Sequence, residues 1–210
     1  MNAASLRTAT FALSVLIALA WLIASVAFTQ DSVALALGFI PARLSGVDVP
    51  WAALPTLLTP LSATLVHAGL LHVGFNLLMF IFCGLQIERI LGRTGLIVLF
   101  VVGAYAAALA QWLPDRMGVV PMIGASGAVS AVIGAYSLSF GRAKRVSSNL
   151  RVNRWINVAW LMAAWVGLQL AMGFLAGQQG YLLATAAHIG GFLAGLLLQR
   201  PLLLWRYRSA

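Results

Sequence analysis

Charge is scarce in this chain: 8% of its 210 residues are charged, against 62% that are hydrophobic. A water-exposed globular domain needs far more polar surface than that, so the shortage points to an integral membrane protein. The mean hydropathy of +0.97 agrees. Acids are scarcer still, only Asp31, Asp48, Glu88 and Asp115. A metalloprotease or metal transporter would therefore have to rely on His67, His72 and His188, since there is no His-Glu-x-x-His helix and no intramembrane carboxylate. No metal and no cofactor is expected. A channel has no charged ring or repeated pore motif to recommend it. The single cysteine, Cys83, excludes an intrachain disulfide and reads as a small core residue. Basic residues bring the net charge to +9, but they are scattered and form no recognisable reading motif, so nucleic acid is not an expected partner.

What the chain has in abundance is apolar runs. Charge-free intervals at 8–30, 94–114 and 117–141 each hold one span of the roughly 20 apolar residues a bilayer requires. The interval 155–199 is broken by Gly177-Gln178-Gln179-Gly180 and holds two spans, about 155–176 and 184–198. The interval 49–87, with Pro50, Pro55 and Pro60 in its first part, reads as one helix from about His72 preceded by a structured loop. Six spans result, an all-α membrane bundle in a single domain over 1–210, with short tails at 1–10 and 201–210. Arg7, Arg89, Arg93, Arg142, Lys144, Arg145, Arg151, Arg154, Arg200, Arg206 and Arg208 fall on the side of both termini, and only Arg43 and Arg116 on the other. Eleven against two places both termini in the cytoplasm by the positive-inside rule. The setting expected is a bacterial inner membrane. The first span follows Arg7 as a secretory signal would, but it exceeds the usual signal length and completes an even count, so a retained helix is expected. Residues 31–66 are too long for a simple connector. Their prolines, with Trp51, suit short helices lying at the interface and shaping an entrance.

One stretch, from Pro121 to Gly134, sets a serine between glycines, Gly124-Ala125-Ser126-Gly127, where an extended approach turns into an apolar helix. In the first turn of that helix the backbone N–H groups lack intrahelical partners and the macrodipole favours developing negative charge. Ser126 there suits a nucleophile with an oxyanion site beside it, although Gly-x-Ser-Gly also reads as small residues easing helix packing. From Ser126 to Gly141 is 16 residues. That is roughly 24 Å against a hydrocarbon core of about 30 Å. The helix therefore has to start below the outer surface, with 118–125 dipping in to line a wet pocket. Gly127, Ala131 and Gly134 give it a face of small residues, and His188, Gly191 and Gly195 share a face of the last span. His72 and Asn76 lie four apart on one face of the second. Acyl transfer needs a nucleophile, a base and donors for the oxyanion. Ser126, His188, and His72 with Asn76 are of the right types.

The stretch 67–76, the run Glu88-Arg89-Ile90-Leu91-Gly92, the Gly124–Gly127 motif, and His188 followed by Gly191 and Gly195 resemble, in kind and order, the rhomboid family of intramembrane serine proteases. The resemblance implies a six-helix rhomboid-like bundle with a structured first outer loop and a short fourth helix starting inside the membrane. It implies Ser126 as nucleophile, His188 as general base and then acid, and His72, Asn76 and the Ser126 backbone N–H as the oxyanion site. His67 resembles the family's structural histidine, and Gly124, Gly127, Gly191 and Gly195 take packing roles. The partners implied are transmembrane protein substrates and membrane lipid.

Two departures stand out. Where many relatives carry a Trp-Arg pair in the first outer loop this chain has Leu58-Thr59, and where relatives often place an aromatic one turn after the nucleophile it has Ser130. The imidazole then has to be oriented differently, a hydroxyl being one candidate. A non-catalytic relative that binds transmembrane helices is the rival reading, but such proteins lose the serine or the histidine and both are present. A Ser–His dyad without an acid is expected. Glu88 belongs to the cytoplasmic end, Asp31 and Asp48 to the outer loop, and Asp115 would bury a charge with no partner beyond Arg116.

Overall fold

The computed structural model describes residues 8–140, 146–175 and 185–208. Arg7, Arg142, Lys144, Arg145 and the expected loop at 177–180 lie outside the described residues, as do the ends of both expected tails.

Helix α1 spans Ala9–Ala27, capped by the Thr8 hydroxyl, which accepts from the Phe11 N–H. Three short helices follow, α2 (Gln30–Leu37), α3 (Pro41–Leu44) and α4 (Thr59–Ser62), with 3-10 turns at Thr56–Leu58 and Ala63–Leu65 on either side of α4. Then comes α5, Leu70–Trp112, 43 residues with one non-helical residue inside, Gly92 at φ 75° and ψ 172°. A straight helix of that length would run about 65 Å, twice the hydrocarbon thickness. It is not straight: the rings of Phe80 and Phe100, twenty residues apart, sit 5.2 Å centre to centre. The chain therefore folds back at Gly92, whose positive φ only glycine adopts without strain, and the two halves of α5 run antiparallel. Helices α6 (Ser126–Phe140), α7 (Leu150–Leu175) and α8 (Thr185–Arg206) complete the chain.

Among the described residues, α1, α5 and α8 are long and apolar enough to cross a membrane. The centre of the bundle is α6, buried along most of its length and enclosed by α5 and α8. Small residues permit this. A Cβ on Gly191 would collide with the Gly127 carbonyl, and one on Gly195 with the Ala131 carbonyl, so α8 lies backbone against backbone on α6. Around it pack Phe80, Ile87, Leu91, Leu99 and Phe192, all buried.

Two boundaries differ from the sequence expectation. Helix α7 begins at Leu150, ahead of the span expected from about 155, because Asn149 caps it: its Oδ1 accepts from the N–H of Arg151 at 2.9 Å and of Val152 at 3.4 Å. Helix α8 continues through Pro201 to Arg206, where a tail was expected from 201. A proline removes one helical hydrogen bond. Against that loss stand the burial of Leu202 and the Arg206 guanidinium, which donates to the carbonyls of Glu88 at 3.3 Å and Arg89 at 3.0 Å.

The segment between α1 and α5 is held without a Trp-Arg pair. Leu58 is exposed, while Thr59 is buried and donates to its neighbour Thr56. Other residues tie the segment down: Arg43 donates to the Leu54 carbonyl at 2.8 Å, Ser62 to Leu37 at 2.6 Å, and Tyr105 of α5 to Leu57 at 2.8 Å. Trp112, at the end of α5, donates to Ser45 at 2.9 Å while Arg116 lies over its ring.

Candidate active site

The segment leading to Ser126 has no helix or sheet of its own to satisfy its backbone, so its amides and carbonyls need partners elsewhere. They find them in the segment between α1 and α5. Phe39 and Met122 exchange both backbone hydrogen bonds, at 3.0 and 2.7 Å, and the Ala42 N–H donates to the Gly118 carbonyl at 3.0 Å. The Gly124 N–H donates to the Ala63 carbonyl at 2.9 Å. The next amide, that of Ala125, donates to Nε2 of His67 at 3.2 Å. Burial first, and then the adjacent His72, hold the His67 pKa down at about 3, so its ring stays neutral and keeps that acceptor. His67 is thus the clamp on the residue immediately before Ser126.

Gly124 has φ of 109°, open to glycine and strained for other residues. Space requires glycine as well: a Cβ there would stand 2.7 Å from Nε2 of His72 and 3.8 Å from Oγ of Ser126. His72 and Ser126 therefore flank the same small space. Nδ1 of His72 accepts weakly from the Ala68 N–H, at 3.4 Å, which leaves the hydrogen on Nε2, the nitrogen facing that space. One turn on, Asn76 is buried and donates from Nδ2 to the His72 carbonyl at 3.0 Å; its amide carries a second N–H, and its Oδ1 has no partner among the described residues.

Ser126 opens α6, and His188 lies in the first turn of α8. Close packing of these helices at Gly191 brings Ser126 Oγ within 2.8 Å of His188 Nε2, with the two residues 7% and 3% exposed. Nδ1 of His188 is buried without a partner among the described residues. Ser130 does not supply one. Its hydroxyl donates to the Ser126 carbonyl at 2.6 Å and accepts from Trp165 Nε1–H at 2.7 Å, which corrects the expectation that a hydroxyl orients the imidazole directly. A small cleft adjoins Ser126, lined by Pro60, Thr64, Ala107, Met122, Gly127 and Ala187 among others.

The arrangement has the elements of acyl transfer: a hydroxyl on an imidazole, and a space beside it faced by an imidazole N–H at the start of a helix. Among the described residues, no three of the histidine, cysteine, aspartate and glutamate side chains group as metal ligands. Two residues escaped the reading of the sequence. Trp165 sits in an apolar helix where a tryptophan reads as core or lipid-facing. The role of Glu88 was also invisible: it is buried and accepts from the Ala9 and Thr10 N–H groups and the Thr10 hydroxyl at 2.7, 2.8 and 2.7 Å. The run Glu88-Arg89-Ile90-Leu91-Gly92 marked the residue without indicating this contact.

The Rhomboid domain family model matches residues 55–205, well over half of the chain. Rhomboid protease GlpG of Haemophilus influenzae is 31% identical over 137 residues, 65% of this chain and 65% of that protein. Rhomboid-related protein 2 of Mus musculus is 29% identical over 137 residues, 65% of this chain and 45% of the relative. RHOMBOID-like protein 1 of Arabidopsis thaliana is 31% identical over 133 residues, 63% of this chain and 31% of the relative. The matches thus span between 31% and 65% of these relatives' own lengths.

Proposed function

The chain belongs to the rhomboid family, and on that premise we propose that it is an intramembrane serine endopeptidase, cleaving peptide bonds in or near the transmembrane segments of other membrane proteins. The observation that carries the reading is the buried Ser126 Oγ to His188 Nε2 contact of 2.8 Å at the N-terminus of α6. Ser126 attacks the scissile carbonyl as its proton passes to His188 Nε2. The oxyanion receives hydrogen bonds from the Ser126 N–H, His72 Nε2–H and the free N–H of Asn76. His188 then gives the proton to the leaving amine, and water, activated in turn by His188, hydrolyses the acyl-enzyme. No acid takes part in this reading: among the described residues Nδ1 of His188 is without a partner, and Glu88 is engaged by the start of α1.

The chain is a single six-span domain, the halves of α5 counting as two spans, with both termini cytoplasmic and the α1–α5 segment outside. The setting in this reading is a bacterial inner membrane. A substrate helix shields its own carbonyls, so the scissile segment must unwind, and glycine, proline or polar residues there lower that cost.

The test is a panel of single-span substrates incubated with wild type and Ser126→Ala, together with labelling by a serine-directed phosphonate. Cleavage and labelling lost together in the variant support the proposal. A wild type that binds the substrates without cutting or labelling would instead be a non-catalytic binder of transmembrane helices. Cysteine accessibility in a Cys83→Ala background checks the topology: outside labelling of Ser148→Cys in intact cells would overturn it.

A further inference from the structure

His188 has to keep Nε2 aimed at Ser126 with nothing among the described residues bonded to Nδ1. The second torsion of a histidine is broad, so a ring without a second hydrogen bond is set by what packs against it. The aromatic partner is Trp165 of α7, whose ring meets the imidazole edge-on, with centres 6.5 Å apart and planes 64° apart. Trp165 is itself fixed twice. It stacks on Phe75 at 5.6 Å, and its Nε1–H donates to Ser130 Oγ at 2.7 Å. An indole N–H can only donate and a hydroxyl has one hydrogen, so Ser130 must spend its own on the Ser126 carbonyl, at 2.6 Å. The chain of bonds runs one way, from indole to hydroxyl to the nucleophile's own backbone. Ser130 and Trp165 are 0% and 3% exposed, so water does not compete for these bonds.

We propose that Ser130 and Trp165 form a positioning pair for His188, the hydroxyl registering a tryptophan of another helix against the Ser126 carbonyl so that its ring does the work of an aromatic one turn after the nucleophile. This rests on the protease reading above. It also explains why a small residue stands at 130: the ring arrives from α7, and the space beside Gly191 is left for the backbone of α8, a Cβ on Gly191 falling 3.2 Å from Cβ of Ser130.

The test compares wild type, Ser130→Ala, Trp165→Phe and the double variant for kcat and KM on one single-span substrate, and for the rate of Ser126 labelling by a small phosphonate. Trp165→Phe keeps a ring against Phe75 but removes the N–H with part of the ring system, while Ser130→Ala removes both the acceptor for Trp165 and the donor to the Ser126 carbonyl. Each single variant should lower kcat by about 10- to 100-fold, as small misplacements of a catalytic group do, with KM little changed. Labelling should slow in parallel, because the small probe needs no helix to enter. The double variant should be no worse than the worse single, since both break one interaction. Wild-type kcat and labelling rate in either single variant, with thermal stability intact, would overturn the proposal. So would a change confined to KM, or effects that add. A wild type that neither cleaves nor labels would overturn the protease reading and this pair with it, whereas an active wild type with unaltered variants overturns the pair alone.

Discussion

Glu88 and His188 are both buried polar side chains, yet they are treated in opposite ways. The Glu88 carboxylate receives three donors from the start of α1, and Arg206 caps the carbonyls beside it. At the serine end, some 24 Å along the helix from His72 to Glu88, polar capacity is left unused: among the described residues Nδ1 of His188 and Oδ1 of Asn76 have no partner. Buried polar groups are nearly always satisfied, so unmet capacity in a native fold marks a place where something other than stability was required. The Glu88 end ties α1 and α8 to the fold-back at Gly92, and on the proposed function the serine end keeps hydrogen-bonding capacity in reserve for the reaction.

The sharpest test of that contrast is a pair of substitutions with opposite signatures. Ser126→Ala should lower turnover by about 10⁶-fold while thermal unfolding in detergent is unchanged. Glu88→Ala should do the reverse. It strands three donors, the two of Thr10 buried, at roughly 1–3 kcal/mol for each buried one, so the melting temperature should drop sharply while turnover per folded molecule holds. If Glu88→Ala impairs the chemistry of protein that is still folded, the two ends are not separate.

Within the serine end, His72→Ala and Asn76→Ala should each slow cleavage by about 10²–10³-fold, read as kcat with folding checked by melting. Wild-type rates in both would reduce them to packing residues. The smallest effect expected is none. Asp31→Asn, Asp48→Asn and Asp115→Asn should leave turnover as it is, and a loss near 10⁴-fold in any one would name a third catalytic member.

The candidate site was partly legible before any coordinates. Gly124-Ala125-Ser126-Gly127 and the His72, Asn76 spacing are local patterns, and His188 is a histidine in an apolar run, where polar residues are costly. Trp165 was not legible, because a tryptophan in a membrane helix has several ordinary explanations and its partner, Ser130, is 35 residues away on another helix. The hold on residues 118–125 was hidden for the same reason, since Phe39, Ala63 and His67 are distant in sequence and two of them act through backbone groups that any residue carries.

What the sequence by itself determined is the class. So little charge over so many apolar runs permits only a membrane protein, and a solvent that cannot satisfy backbone polar groups requires helices. It also determined which side chains carry reactive groups. What only the tertiary structure decided is their mutual geometry. That α5 folds back at Gly92, that α8 can lie against α6 closely enough for a 2.8 Å Ser126 to His188 contact, and that a ring from α7 stands beside that histidine are outcomes of packing between helices far apart in the chain. Such contacts depend on shape complementarity summed over many small residues, and no local pattern encodes that sum.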